Sequence, residues 1–67
     1  MRYYEIRVVH KYYGESMLAR SEMYTFEEAL VFCIKENKKL GFDIDTSGMI
    51  DFSSSPSIIF YNFEEVS

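Results

Sequence analysis

In "YYEIRVVHKYY", residues 3–13, two sets of side chains alternate along the chain, and this alternation indicates which face of the first strand is buried. A period of two residues is typical of a strand with one buried face and one exposed face. We predict that the core face carries Tyr4, Ile6, Val8, His10 and Tyr12. The opposite face, which we expect to meet water or a partner, carries Tyr3, Glu5, Arg7, Val9, Lys11 and Tyr13.

A second strand follows after a turn at Gly14 and Glu15, where glycine tolerates the positive φ of a hairpin turn. Residues 16–24 return antiparallel to the first strand. Their alternation places Met17, Ala19, Ser21 and Met23 on one side and Leu18, Arg20, Glu22 and Tyr24 on the other. The first 24 residues therefore predict a β-hairpin.

Residues 26–40 have the start and stop signals of a helix. Thr25 and Glu28 form a capping box, and Gly41 is placed as a left-handed C-cap. Acidic residues in the first turn and lysines toward the end match the helix dipole. The apolar arc contains Phe26, Ala29, Leu30, Cys33, Ile34 and Leu40, with Asn37 among them, whereas Val31 and Phe32 lie on the polar side.

The remaining residues predict a short strand at 49–52, a turn at 53–56 and a last strand at 57–63. We expect one α+β domain over residues 1–63, followed by a frayed acidic tail at 64–67. The predicted architecture is a mainly antiparallel four-stranded sheet in ββαββ order, with one helix on one face.

Composition excludes several classes of protein. The chain has 67 residues, one cysteine and one histidine, so it forms no internal disulfide and lacks the ligands of a structural zinc site. It has no run of apolar residues long enough to cross a membrane and no signal peptide at its N-terminus, which predicts a cytoplasmic protein without membrane contact. No motif indicates a cofactor.

The net charge of −4 is unevenly distributed, because every lysine and arginine precedes residue 40. The region that follows holds an acidic group of five residues, Asp43, Asp45, Asp51, Glu64 and Glu65. Such a surface disfavours duplex nucleic acid, whose binding depends on lysine and arginine. It suits a basic protein partner or simply solubility. If that partner normally binds nucleic acid, we expect the five carboxylates to imitate phosphates.

Three motifs suggest chemistry, and each has a simpler interpretation. "DIDTSGMIDFSS", residues 43–54, resembles a calcium-binding loop, but Ser54 stands where the bidentate glutamate is needed, so we predict a polar turn and no metal site. "DTSG" within it resembles the turn of aspartic proteases, whose cleft a chain this short cannot build. His10 and Cys33 lie on predicted core faces, and we expect no catalytic residue.

No motif names a family, so the predicted function rests on surfaces. We expect a small non-enzymatic protein-binding module, an adaptor or inhibitor of the kind that phages and mobile elements encode. Its predicted contact residues are Tyr3, Arg7, Val9, Lys11, Tyr13, Val31 and Phe32. One alternative is a single-stranded nucleic-acid binder that uses the tyrosines and cations of the first strand. The other is a self-associating protein whose partner is a second copy.

Overall fold

Residues 2–66 fold as one α-helix packed on a three-stranded antiparallel sheet, with a separate two-stranded ribbon. The computed structural model describes residues 2–66, with the backbone alone for residues 21–24. In chain order the elements are β1 (Tyr4–His10), β2 (Ser16–Tyr24), α1 (Phe26–Lys39), β3 (Asp43–Ile44), β4 (Ile50–Asp51), a 3-10 turn (Phe52–Ser54) and β5 (Ile59–Glu65). The sheet has the strand order β2–β1–β5, and β3 pairs with β4.

The α+β class and the single helix on an antiparallel sheet are confirmed, but the predicted four-stranded sheet is wrong. The region expected to add one strand instead folds on itself as the β3–β4 ribbon. Its turn is closed by two backbone bonds, Gly48 N–H to Asp45 O and Asp45 N–H to Met49 O. Gly48 has a φ of 91°, which glycine adopts without strain. This local closure uses backbone groups that a fourth strand of the sheet would need.

The β1–β2 hairpin contains irregularities that the sequence did not predict. The pairing of β2 with β1 runs Arg7–Leu18, Ile6–Arg20 and Glu5–Met23, and therefore skips residues of β2 twice. These bulges break the predicted alternation, since Ala19 packs against the core while the guanidinium of Arg20 lies 4.7 Å from the ring centre of Phe32. The predicted faces of residues 21–24 fall outside the described side chains.

Helix α1 begins and ends within one residue of its predicted limits. Thr25 Oγ1 accepts the N–H of Glu28 at 3.3 Å and donates to Glu28 Oε1 at 2.9 Å, a hydroxyl variant of the capping box. At the other end Gly41 N–H donates to Lys38 O and Phe42 N–H to Asn37 O, which is a Schellman motif. Among residues 2–66, no helix has both the length and the apolar character to cross a bilayer.

The core lies between α1 and the centre of the sheet. Ile6, Ala29 and Cys33 are buried there, and half-buried side chains pack around them. Tyr4, Phe26 and Phe63 extend the core at one end as three mutually edge-to-face rings, with centres 5.5–5.6 Å apart. Few of the described side chains are fully buried, so these aromatic contacts add to a small core.

The predicted frayed tail is wrong for its described part. Glu64 and Glu65 belong to β5, opposite Glu5 and Tyr4 of β1. The ladder continues one step further, because Val66 N–H donates to Tyr3 O at 2.8 Å. Residues 64–66 thus pair with backbone groups at the start of β1 that would otherwise lack a protein partner. Ser67 lies outside the described residues.

Candidate functional site

The sheet has one face under α1 and one face turned away from it, which we call the outer face. Residues directly opposite one another in an antiparallel pair share a face, so the register assigns its members. They are Glu5, Arg7 and Val9 of β1, Ser16 and Leu18 of β2, and Phe60, Asn62 and Glu64 of β5. The alternation along β1 predicted its members of this face. The members on β2 and β5 could be assigned only from the pairing register.

Arg7 is the polar centre of the outer face. Its Nη1 lies 3.0 Å from Glu5 Oε1, and its Nε donates to Ser16 Oγ at 3.1 Å and lies 3.9 Å from Glu64 Oε2. The Arg7 side chain is 21% exposed and that of Glu64 is 62% exposed. The guanidinium is thus positioned by residues from three segments of chain, and Glu64 presents its carboxylate to solvent.

Apolar side chains flank this polar centre. Val9 lies opposite Phe60, and Leu18, opposite Arg7, remains 49% exposed. At one end of the face the ring of Phe52 covers Phe60, with ring centres 4.8 Å apart, and Phe52 also contacts the buried Phe42. The outer face therefore combines an ordered cation, exposed carboxylate and accessible hydrophobic surface.

Lys11 does not present its charge on the outer face as predicted. Its ammonium group donates to the carbonyl oxygens of Ser55 at 2.7 Å and Phe52 at 3.0 Å. It also lies 5.3 Å from the ring centre of Phe42. These contacts fix the segment after β4 to the end of β1, so the amine has an internal role.

Both tyrosines after β1 are exposed, so the core position predicted for Tyr12 is wrong. β1 ends at His10, and the alternation ends with it. The ring of Tyr13 stacks on His10 at 4.5 Å and remains 78% exposed. Tyr12 is 69% exposed and lies 5.5 Å from the amine of Lys11. Tyr3 is 39% exposed beside the first residue of β1. The predicted set Tyr3, Arg7, Lys11 and Tyr13 is consequently divided.

The predicted pair on the helix is also divided. Val31 is 64% exposed on the polar side of α1, as expected. Phe32 instead packs against the core cluster, with its ring 6.1 Å from that of Tyr61. The sheet extends beyond the apolar arc of the helix, so a side chain at the border of that arc still contacts it. Phe32 is therefore a partly buried residue that packs against the core.

The five predicted acidic residues form two groups rather than one. Glu64 contacts Arg7, and Glu65 Oε1 lies 3.4 Å from Arg2 Nε, so both have basic neighbours. Asp43, Asp45 and Asp51 lie on the β3–β4 ribbon, where Asp43 is opposite Asp51. The ribbon follows α1, and Phe52 just after it contacts Phe60 near the start of β5, whereas Glu64 and Glu65 end that strand. The two acidic groups therefore occupy different parts of the surface.

Two carboxylates of the ribbon are occupied by local hydrogen bonds. Asp45 Oδ1 accepts from Ser47 Oγ and from the N–H groups of Ser47 and Met49, at 2.7–2.9 Å. Asp51 Oδ1 accepts from the hydroxyl and the N–H of Ser53 at 2.7 and 3.1 Å. The hydroxyl bonds are the main reason that the pKa of each carboxyl lies below its ordinary value. Within residues 2–66, no three metal-ligating side chains come together.

The two residues with intrinsic reactivity are both engaged in the fold. His10 Nδ1 accepts the N–H groups of Tyr12 and Tyr13, each at 3.2 Å. Cys33 is buried beside Ile6 and Ala29, and burial raises the pKa of its thiol to about 11. A thiolate is the reactive form of cysteine, so this side chain is suited to packing.

Comparison with known proteins gives no relative, since the chain matches no family model, no curated protein and no solved structure.

Proposed function

We propose that this chain is a small non-enzymatic protein-binding module that acts by occupying a surface of its partner through the outer face. The observation that carries the proposal is the arrangement around Arg7, a positioned cation between an exposed carboxylate, Glu64, and the exposed apolar side chain of Leu18. Arginine is among the residues enriched at the energetic hot spots of protein interfaces. A surface whose polar groups are already ordered also loses less entropy on binding.

The contacts favour this proposal over single-stranded nucleic-acid binding. A nucleic-acid surface of this kind needs stacking rings beside unpaired cations. Lys11 bonds two carbonyl oxygens, Arg7 lies between two carboxylates and Tyr13 stacks on His10. Both cations are thus already bonded to protein groups, which weakens their attraction for phosphates.

The proposal of a non-enzymatic role is supported by the state of the reactive groups. The acceptor nitrogen of His10 is bonded to backbone, and the Cys33 thiol is buried with a raised pKa. A nucleophile or general base requires access to a substrate atom at hydrogen-bonding distance. His10 Nδ1 and the Cys33 thiol, the atoms that would react, both lack that access.

The test compares two single substitutions of exposed apolar residues. Wild type, Leu18→Glu and the helix-face control Val31→Glu are immobilised and exposed to lysate of the source organism, and the captured protein is then purified and titrated. We expect wild type and Val31→Glu to bind it alike and Leu18→Glu to bind more than tenfold more weakly. Equal binding by all three variants would contradict the outer-face proposal.

Self-association is the second candidate, and the exposure of Val31 favours it. Val31 lies in a shallow depression with Glu27, Glu28, Phe32 and Lys35. A second copy in antiparallel orientation would place opposite charges of the two helices together. Light scattering of wild type and Val31→Glu tests this candidate, and a wild-type monomer at high concentration would exclude it. Phe32→Glu is unsuitable because Phe32 packs against the core.

If the partner normally binds nucleic acid, we propose that the ribbon carboxylates imitate phosphates. Asp43 is the residue to change, because Asp45 and Asp51 also hold the ribbon together. Asp43→Lys should weaken binding of that partner, whereas Asp43→Asn should have a smaller effect. Unchanged affinity in Asp43→Lys would remove the ribbon from the proposal.

A further inference from the structure

β5 forms one edge of the sheet, and alternate residues turn their backbone N–H and C=O groups away from β1. Two bonds fix which residues these are: Lys11 N–H donates to Ile58 O, and Val66 N–H donates to Tyr3 O. In an antiparallel pair, residues that bond the neighbour alternate with residues that do not. The even-numbered residues of β5 therefore face β1, and the open edge is formed by Ile59, Tyr61, Phe63 and Glu65.

The backbone of Tyr61 at this edge is satisfied by the side-chain amide of Asn37. Asn37 Nδ2 donates to Tyr61 O at 3.0 Å, and Asn37 Oδ1 accepts Tyr61 N–H at 2.7 Å. A neighbouring antiparallel strand offers the same combination, one donor and one acceptor to a single residue. Asn37 is 1% exposed on α1, so solvent does not compete for these bonds.

The outward residues on either side of Tyr61 are also bonded by side chains. Ser57 Oγ accepts Ile59 N–H at 3.3 Å and donates to Ile59 O at 2.7 Å. Asn62 Oδ1 accepts Phe63 N–H at 2.9 Å. Three successive outward residues of the edge thus have side-chain partners from three different positions in the chain.

We infer that Asn37, Ser57 and Asn62 replace a missing strand and prevent β5 from pairing with β5 of a second copy. An unprotected edge presents a row of unsatisfied backbone groups that templates such pairing. The residues of β5 would otherwise favour it, because their side chains are rich in aromatic and β-branched types. Asn37 contributes most, since it satisfies both groups of the central outward residue.

The experiment uses Asn37→Leu, which keeps the size of the side chain and removes both hydrogen bonds. Cys33→Ala is the matched control, because it removes buried atoms from the same face of α1 and leaves Asn37 in place. We expect light scattering to show dimers or larger species of Asn37→Leu at concentrations where wild type and Cys33→Ala are monomers. A folded, monomeric Asn37→Leu, or equal self-association of the two variants, would overturn the inference.

A second measurement applies if Asn37→Leu does not fold. Asn37→Ala is small, favours the helix and removes the acceptor for Tyr61 N–H. We expect the Tyr61 amide to exchange with solvent more than tenfold faster in this variant, with little change at Phe60, whose N–H faces β1. Equal acceleration at both amides would indicate general loosening and would contradict a specific role of Asn37 at the edge.

Discussion

The ammonium group of Lys11 lies 2.7 Å from the carbonyl oxygen of Ser55, and Ser55 Oγ in turn donates to Leu40 O at 2.6 Å. The end of β1, the segment after β4 and the end of α1 are therefore linked through one serine. Ser55 is 5% exposed, so its polar groups depend on these partners.

Replacing Lys11 with methionine should destabilise the protein by about 1–3 kcal/mol, because two carbonyl oxygens lose a charged donor. Urea unfolding followed by circular dichroism measures the change. Lys35→Met, on the exposed side of α1, is the control and should stay within about 0.5 kcal/mol of wild type. A Lys11→Met variant as stable as wild type would show that the ammonium group does not hold the segment.

His10 should carry its proton on Nε2, because Nδ1 accepts two backbone N–H groups. Nitrogen-15 chemical shifts of the imidazole identify the tautomer directly. His10→Phe keeps a ring to stack on Tyr13 and loses the acceptor, so we expect a cost of about 1–2 kcal/mol. Tyr13→Phe, which retains both backbone N–H groups, should cost less. Protonation at Nδ1 in the folded protein would contradict the described bonds.

Acid should destabilise the β3–β4 ribbon through Asp45 and Asp51. Their pKa values are lower in the folded chain than the ordinary value of 3.8, so the unfolded chain binds more protons just below that pH. Their stabilising effect is complete above the unfolded value and is lost as the pH falls through the folded one. Thermal unfolding of Asp45→Asn/Asp51→Asn should accordingly be less pH-dependent below about pH 4.

Asp43→Asn provides the comparison for this prediction, because Asp43 supplies no such local acceptor among the described contacts. Its acid dependence should resemble that of wild type. If all three proteins lose stability in parallel as the pH falls, the two aspartates do not account for the acid sensitivity.

Cys33 should react slowly with thiol reagents while the chain is folded. Burial excludes the reagent and raises the thiol pKa to about 11, so the thiolate is scarce near neutral pH. The rate of reaction with Ellman's reagent at pH 8 should increase by at least a hundredfold in denaturing urea. Comparable rates in both conditions would mean that the contact of Cys33 with Ile6 and Ala29 opens readily.

The helix could be predicted closely because its signals are local. Thr25, Glu28 and Gly41 act within a few residues of the ends of α1, and the structure has the expected caps. The partition of strands between sheet and ribbon could not be predicted in this way. It depends on whether residues 43–51 bond each other or the sheet, and a tight turn with Gly48 decides that competition.

The candidate surface was predicted in part, for a related reason. Alternation along β1 identified Arg7 and Val9, but it did not indicate that the strand ends at His10, beyond which Tyr12 and Tyr13 are both exposed. Leu18 could not be assigned without the register of β2, and the partner of Asn37 lies on β5, far along the chain. Sequence periodicity describes one element at a time, whereas these contacts join several.

The position of β1 between β2 and β5 has a consequence for how the chain assembles. One edge of β1 pairs with β2, which follows it directly in the sequence. The other edge pairs with β5, which comes from the opposite end of the sequence. Pairing between such distant residues slows folding, because a large loop is closed before any contact offsets its entropy. During synthesis, therefore, β1 leaves the ribosome long before its second neighbour, with half of its backbone bonds still made to water.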